Sequence, residues 1–192
     1  MESIPVFQRY FRYNNENKMN TESSPPSLNQ FSIALIWFVL LLAGMGLIFN
    51  TMLDDINNPN QKLEISFNQN GGREIVLERN KYGHYVATGQ INGQSVVFFL
   101  DTGATLVAIP EHIADDLNLK KGQSFLSQTA NGKSKSYETT ISELTLGDIV
   151  MTNVPASISS GMEFDEILLG MSFLKHLHMV QQGKTLTISV PK

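Results

Sequence analysis

The chain has 192 residues, of which 42% are hydrophobic, and its formal net charge is −4. This length accommodates one modest globular domain with additional segments, but not two large lobes. With 14 basic and 18 acidic residues and no Lys- or Arg-rich run, the sequence lacks the clustered basic face of nucleic-acid binding proteins. Cysteine is absent, which excludes disulfides, a thiol nucleophile and thiolate metal sites.

An apolar segment near the amino terminus predicts a transmembrane helix. Phe31–Phe49 contains no charged residue, and at about 1.5 Å per residue it spans roughly 28 Å, close to the thickness of a bilayer core. A cleaved signal peptide is the alternative. The apolar core of a signal peptide usually has about 7–15 residues and is followed by a small-x-small cleavage site, and this segment shows neither feature. We therefore expect an uncleaved, single-pass anchor.

The residues that flank this segment predict its orientation. Basic residues precede it and acidic residues follow it, which favours a cytoplasmic amino terminus. Residues 1–30 are expected to form a disordered cytoplasmic tail, since their second half is rich in Asn, Ser and Pro. The flanking charged residues are Arg9, Arg12 and Lys18 before the span and Asp54 and Asp55 after it.

Residues 50–80 predict a linker followed by a small hairpin. Asn57-Asn58-Pro59-Asn60 is typical of a linker. Leu63–Phe67 and Glu74–Glu78 then alternate apolar and polar residues around the turn signal Asn70-Gly71-Gly72. This hairpin is expected to lead into the main domain.

Residues 81–192 predict a mainly β domain of short strands joined by hairpin turns. Tyr85–Gln90 and the apolar run Val96–Leu100 flank the two-residue turn signal Asn92-Gly93. One short helix is expected after Pro110, and a second over Phe173–Leu177 with Ser172 as its cap. Further turn signals are Asn131-Gly132, Gly147-Asp148 and Gln182-Gly183-Lys184.

Asp101 is the strongest candidate for a catalytic residue. It directly follows the apolar run Val96–Leu100 and begins the turn Asp101-Thr102-Gly103-Ala104. The carboxylate therefore lies in a turn that contains glycine. A structural role is the alternative, because Asp-Thr-Gly is also good turn chemistry. About seventy residues later, Ile167–Leu174 forms a second apolar run, Ile-Leu-Leu-Gly-Met-Ser-Phe-Leu, broken by Gly170.

Together the two segments resemble the aspartic protease family. The likeness is to its single-domain, retropepsin-like branch, and within it to bacterial membrane-anchored members that carry Asp-Thr-Gly-Ala and Leu-Gly-Met-Ser-Phe-Leu. It covers roughly Tyr82 to Val190. The resemblance implies a single-lobe acid protease barrel with one or two short helices. It also implies that Asp101 is catalytic, with supporting roles for Thr102, Gly103, Ala104, Leu169 and Gly170.

The resemblance also implies a homodimeric peptide hydrolase. Such enzymes hold a water between two carboxylates, and this sequence contains only one Asp-Thr-Gly, so a second Asp101 must come from another subunit. The family assigns the Thr102 hydroxyl to a hydrogen bond across the dimer. The expected substrate is a protein or peptide, and the expected location is a bacterial inner membrane with the protease domain in the periplasm. No cofactor is expected.

A flap that closes over the substrate is the third expected part of such a site. Gln128–Lys133 is the best candidate, with Ala130, Asn131 and Gly132 at its tip. An ordinary exposed hairpin is the alternative, since Asn-Gly is a common turn signal. The four histidines lack the spacing of a ligand cluster, so no metal site is expected.

The sequence departs from viral retropepsins after Gly170. Those enzymes place an Arg there that helps to tie the dimer together, whereas this chain has Met171-Ser172. A non-catalytic protein of the same fold, which binds peptides or supports assembly at the membrane surface, is the alternative function.

Overall fold

The computed structural model describes residues 28–67, 72–129 and 132–191. The chain divides into two compact units, Met1–Phe49 and Asn50–Lys192. In chain order, the elements are α1 Leu28–Asn57, β1 Ile65–Phe67, β2 Arg73–Glu78, β3 Val86–Ile91, β4 Gln94–Leu100, β5 Val107–Pro110, α2 Glu111–Asp116, β6 Ser124–Thr129, β7 Gly132–Leu146, β8 Ile149–Ser159, β9 Ile167–Leu169, α3 Met171–Leu174, β10 His178–Gln182 and β11 Thr185–Ser189.

Helix α1 contains the predicted apolar segment. Phe31–Phe49 has a mean hydropathy of 2.5, and none of it is buried against other residues that the structure describes. Its large side chains are exposed, Trp37 by 68% and Leu47 by 70%. The segment is therefore long and apolar enough to cross a membrane.

The second unit consists of two sheets. The first has four antiparallel strands in the order β1-β2-β11-β10. The second has seven strands in the order β3-β4-β9-β5-β8-β7-β6, and β3 also pairs with β7 at Gln90↔Thr145 and Ile91↔Leu144. This additional pairing closes six strands into a barrel, with β6 as an extension, which confirms the predicted mainly β, single-lobe barrel.

The core of this unit draws apolar side chains from both sheets. Phe98 of β4 and Phe173 of α3 are fully buried. Strand β2 was expected to precede the domain, yet it pairs with β11 and contributes Ile75 and Leu77 to the same hydrophobic cluster. Since Val76 between them points outward, β2 follows the alternation typical of a strand with one buried face.

The segment before β1, predicted to be a linker, contains a buried side chain. Asn60 is only 4% exposed. Its amide nitrogen donates to the carbonyl oxygens of Glu78 and Val86, and its amide oxygen accepts from the Glu78 N–H. Asn60 thereby satisfies backbone groups of both β2 and β3, which is the physical reason for its burial.

Within the described residues, the predicted turns and helices are present with one correction, whereas Asn70, Gly71 and Asn131 of two further predicted turns lie outside those residues. Asn92 and Gly93 both have positive φ, 52° and 79°, as the predicted two-residue hairpin requires. Helix α2 follows Pro110 directly. The prediction of a helix over Phe173–Leu177 capped by Ser172 is wrong, because α3 begins at Met171 and ends at Leu174. The Ser172 hydroxyl is not a cap, since it accepts a hydrogen bond from the Val107 N–H.

Candidate active site

Asp101 lies at the carboxyl end of β4, beside the end of β9. The two strands are parallel, with Phe98, Phe99 and Leu100 opposite Ile167, Leu168 and Leu169. The Asp101 N–H continues this pairing and donates to the Leu169 carbonyl oxygen at 3.2 Å. Since Leu169 is fully buried, the backbone of the carboxylate is fixed to the core of the barrel.

The turn after Asp101 supplies a hydrogen-bond donor to its carboxylate. The Gly103 N–H donates to Asp101 Oδ1 at 2.9 Å, and the Ala104 N–H donates to the Asp101 carbonyl oxygen at 3.2 Å. A Cβ at Gly103 would lie 3.1 Å from Oδ1, a tight contact that glycine avoids. Asp101 and Ala104 are half-buried, whereas Thr102 and Gly103 are exposed.

Gly170 allows the two predicted motifs to touch. A Cβ at Gly170 would overlap the Leu106 carbonyl oxygen and lie 2.7 Å from the Ala104 carbonyl oxygen. Beyond it, the Met171 N–H donates to the Ala104 carbonyl oxygen at 2.8 Å and the Ser172 N–H donates to that of Thr105 at 2.9 Å. Residues 101–106 and 169–172 therefore interlock, and the predicted support residues lie together around Asp101.

Asp101 opens into a cleft of about 720 Å³. The cleft is bounded by the motif turn, by residues of β5, β6, β7, β8 and β9, and by the segment between β8 and β9. Among the described residues that line it, only Asp101 has an ionisable side chain. The lining residues are Asp101, Gly103, Ala104, Thr105, Leu106, Ala108, Phe125, Ser127, Gln128, Ser136, Ser157, Ser159, Gly161, Met162, Phe164 and Leu168.

The predicted flap belongs to the hairpin of β6 and β7. These strands are antiparallel from Ser124↔Tyr137 to Thr129↔Gly132. Ala130 and Asn131 lie outside the described residues, and Gly132 begins β7. Residues of β6 line the same cleft as Asp101, so the hairpin bounds the cleft, and its closure over a substrate stays a prediction.

Several polar residues at this site were not predicted from the sequence. Ser127, Ser136, Ser157 and Ser159 line the cleft, and Ser172 joins the two motifs. The sequence does indicate that Ser157 and Ser159 lie on the same face of the sheet, because residues two apart on a strand share one face.

An ion pair and a hydrogen bond at Glu111 connect α2 to the segment before β6 and to the end of β8, near the cleft. The Lys121 ammonium, which donates to Glu111 at 2.7 Å, lowers the pKa of the Glu111 carboxyl, and a hydrogen bond from Ser160 lowers it further. The same contact with Glu111 raises the pKa of Lys121. Since Ser160 precedes Gly161 of the cleft, this contact holds one end of the segment between β8 and β9.

Comparisons with known proteins agree with this geometry. The family model "gag-polyprotein putative aspartyl protease" matches residues 87–176, which include both motifs. A crystal structure of a retropepsin-like aspartic protease from Rickettsia conorii is 28% identical, with a TM-score of 0.51, and the match covers 59% of this chain and 97% of that one.

Two curated bacterial proteins, both uncharacterised, are also similar. One, from the 5′ region of cobV in a Sinorhizobium species, is 28% identical over 78% of this chain and 68% of its own length. The other, from Rickettsia prowazekii, is 31% identical over 60% of this chain and 50% of its own length. The chain thus spans between half and about two thirds of these relatives.

Proposed function

Because this chain belongs to the retropepsin-like family of aspartic proteases, we propose that it is a membrane-anchored endopeptidase that acts as a homodimer. Each subunit would contribute one Asp101 to a shared active site. The observation that carries this proposal is the Asp101 carboxylate, which is held by a backbone N–H at the edge of a cleft of about 720 Å³.

The need for two subunits follows from the number of carboxylates. In the aspartic protease mechanism, one carboxylate accepts a proton from the water and a second carboxyl donates one to the substrate. Asp101 is the only carboxylate among the described residues of the cleft. A twofold axis beside Asp101 would supply its partner, and the exposed Thr102 hydroxyl is available for a hydrogen bond across that axis.

The proposed reaction begins with a water held between the two Asp101 side chains. The ionised carboxylate removes a proton from the water while the water oxygen attacks the carbonyl carbon of the peptide. The protonated carboxyl gives its proton to the carbonyl oxygen, which produces a tetrahedral diol. Transfer of a proton to the amide nitrogen and cleavage of the C–N bond then release an amine and a carboxylic acid. The Gly103 N–H supports this cycle by fixing Oδ1.

The cleft is suited to an extended peptide. The β6–β7 hairpin forms one side of it, and the motif turn forms another. An extended substrate could pair with exposed backbone groups there, as peptides do at sheet edges. Closure of the hairpin would exclude water from the reacting bond.

Helix α1 would anchor this domain to a membrane. The basic residues before Phe31 favour a cytoplasmic amino terminus, which would place Asn50–Lys192 on the opposite side. Since the similar proteins named above are bacterial, we propose the inner membrane as the site of anchoring and the periplasm as the compartment of the protease domain.

The full chain, purified in detergent, should cleave a mixed peptide library between about pH 4 and about pH 8. Asp101→Asn should abolish this cleavage without altering the thermal unfolding curve. The matched control is Asp116→Asn, because Asp116 is an exposed carboxylate of α2 outside the cleft. It should cleave like the wild type.

Cleavage that persists in Asp101→Asn would refute the assigned catalytic residue. If a folded, dimeric wild type cleaves nothing but binds peptides, the alternative of a non-catalytic peptide-binding module would replace the proposed function.

A further inference from the structure

Four serines form one wall of the cleft. They are Ser127 of β6, Ser136 of β7, and Ser157 and Ser159 of β8, and we call this set the serine wall. Ser136, Ser157 and Ser159 are each less than a tenth exposed. Buried positions of a sheet are usually apolar, so a cluster of buried hydroxyls facing a cleft indicates a polar function.

The register of the strands brings three of these four serines next to one another. Ser136 and Ser159 are directly opposite each other in the β7–β8 ladder. Ser127 and Ser136 lie on neighbouring strands, and their hydroxyl oxygens are 2.8 Å apart. The Ser127 hydroxyl also donates to the Ser134 carbonyl oxygen at 3.2 Å. Ser127 and Ser136 therefore satisfy each other, with Ser136 as the donor between them.

Ser159 differs from Ser127 and Ser136. It is 4% exposed, and its hydroxyl has no hydrogen-bond partner in the part of the chain that the structure describes. Leaving a buried hydroxyl unpaired is unfavourable, and the penalty disappears when a ligand supplies the missing partner. Because Ser159 lines the cleft, a group bound there is placed to supply this partner.

We propose that the serine wall is a subsite for an uncharged, hydrogen-bonding side chain of the peptide substrate, such as Gln, Asn, Thr or Ser. This inference rests on the proposed function. A large apolar side chain at the wall would leave Ser159 unpaired, and sites of this kind reject ligands that lack the hydrogen-bonding group. A charged side chain would find no counter-ion, because Asp101 is the only ionisable residue among those described along the cleft.

The remaining surface of the cleft limits this preference to one part of the substrate. Leu106, Ala108, Met162, Phe164 and Leu168 line much of it with apolar groups. A substrate should therefore combine one uncharged polar side chain with apolar neighbours.

Matched peptides test the proposal with the full chain in detergent. Each pair carries Gln or the similarly sized Leu at one position, and the position is moved through the peptide. For the wild type, kcat/KM should favour Gln by about tenfold at one position, the change expected from one satisfied hydrogen bond. Ser159→Ala should bring this ratio close to one. Ser124→Ala, an exposed serine of β6 that does not line the cleft, should retain it.

A binding measurement separates this inference from the proposed function. The same peptide pairs are titrated onto the Asp101→Asn chain, with and without Ser159→Ala, and followed by fluorescence anisotropy. A preference for Gln that depends on Ser159 supports the serine wall even if the wild type does not cleave. If Ser159→Ala does not fold, as judged by circular dichroism, Ser136→Ala replaces it in both measurements.

Three results would overturn the inference. The first is a preference for Leu at every position. The second is a preference for Gln that survives the serine substitution measured, because its origin would then lie elsewhere. The third is a folded chain that neither cleaves nor binds any peptide.

Discussion

The side-chain hydroxyl of Ser172 accepts a hydrogen bond of 2.9 Å from the backbone N–H of Val107, a residue 65 positions earlier in the chain. Ser172 is 7% exposed and Val107 is fully buried, so water does not reach this N–H in the folded protein. The bond ties the segment after Gly170 to the segment after Asp101. A hydroxyl outside the Asp101 turn therefore helps to join the two motif segments.

Ser172→Ala should destabilise the domain and disturb the active site together. Loss of the hydroxyl leaves the Val107 N–H buried without its acceptor, a change that typically costs about 1–3 kcal/mol. Thermal unfolding of the full chain in detergent, followed by circular dichroism, should show a lower midpoint. Cleavage should also slow, because β5, which directly follows residues 101–106, loses one of its attachments to α3.

The exposed Ser124 provides the control for this measurement, since Ser124→Ala removes a hydroxyl without exposing a buried donor. Equal stability of the Ser172→Ala and Ser124→Ala chains would contradict a structural role for the Ser172 hydroxyl.

Gly170→Ala should be more damaging than Ser172→Ala. A methyl group there would overlap the Leu106 carbonyl oxygen and approach that of Ala104, and both atoms belong to backbone that cannot rotate away. Overpacking of this kind costs about 1–3 kcal/mol and sometimes more. We expect a lower unfolding midpoint and loss of cleavage, because relief of the contact would separate the two motifs.

Gly183→Ala is the control for the conformational cost of replacing a glycine by alanine. Gly183 has φ +60° with open space around it, so alanine there meets only the conformational cost of about 1–2 kcal/mol. Cleavage should be retained in that variant. A Gly170→Ala chain as stable and active as the Gly183→Ala chain would show that the two motifs do not depend on close packing.

The sequence was sufficient to predict the elements whose signals are local. The turn at Asn92-Gly93 followed from residues that tolerate positive φ, and the apolar helix followed from its length and composition. The barrel followed from the resemblance carried by Asp101-Thr102-Gly103 and Leu168-Leu169-Gly170.

Contacts between distant residues could not be predicted in this way. Ser172 occupies a position typical of a helix cap, but its hydroxyl accepts from Val107 on another element. Asn60 lies in a sequence typical of a linker, and its burial depends on carbonyl groups of β2 and β3. In both residues a short polar side chain satisfies backbone groups that come close only in the folded chain.

Asn60→Asp should destabilise the domain in a pH-dependent manner. The substitution replaces a donor to two carbonyl oxygens with a carboxylate oxygen that can only repel them when ionised. Burial disfavours the charged form, so the pKa of the new carboxyl should be higher in the folded state than its value of about 3.9 in the unfolded state. The free energy of unfolding of Asn60→Asp should therefore be closest to that of the wild type below about pH 4. The difference should widen as pH rises toward the pKa of the carboxyl in the folded state.

Urea unfolding of the wild type and of Asn60→Asp at several pH values measures this deficit. Asn153→Asp is the control, because Asn153 is exposed and a carboxylate there remains hydrated. A deficit that is the same for Asn60→Asp at every pH would contradict the predicted clash with the carbonyl oxygens.

A mixing experiment tests whether two chains share one site. Wild-type and Asp101→Asn chains are combined in equal amounts and allowed to exchange subunits in detergent. If each active site needs Asp101 from both subunits, random pairing leaves about a quarter of the dimers active. Cleavage should then fall to about a quarter of that given by the same total amount of wild type.

Chains that act independently would give a different residual activity. If each chain acted alone, the mixture would retain about half of the activity, because half of the chains would still carry Asp101. Mixing with Asp116→Asn in place of Asp101→Asn should leave the activity unchanged, which controls for effects of exchange itself. We expect the lower value, because the proposed mechanism uses two carboxylates and the described residues of the cleft provide one.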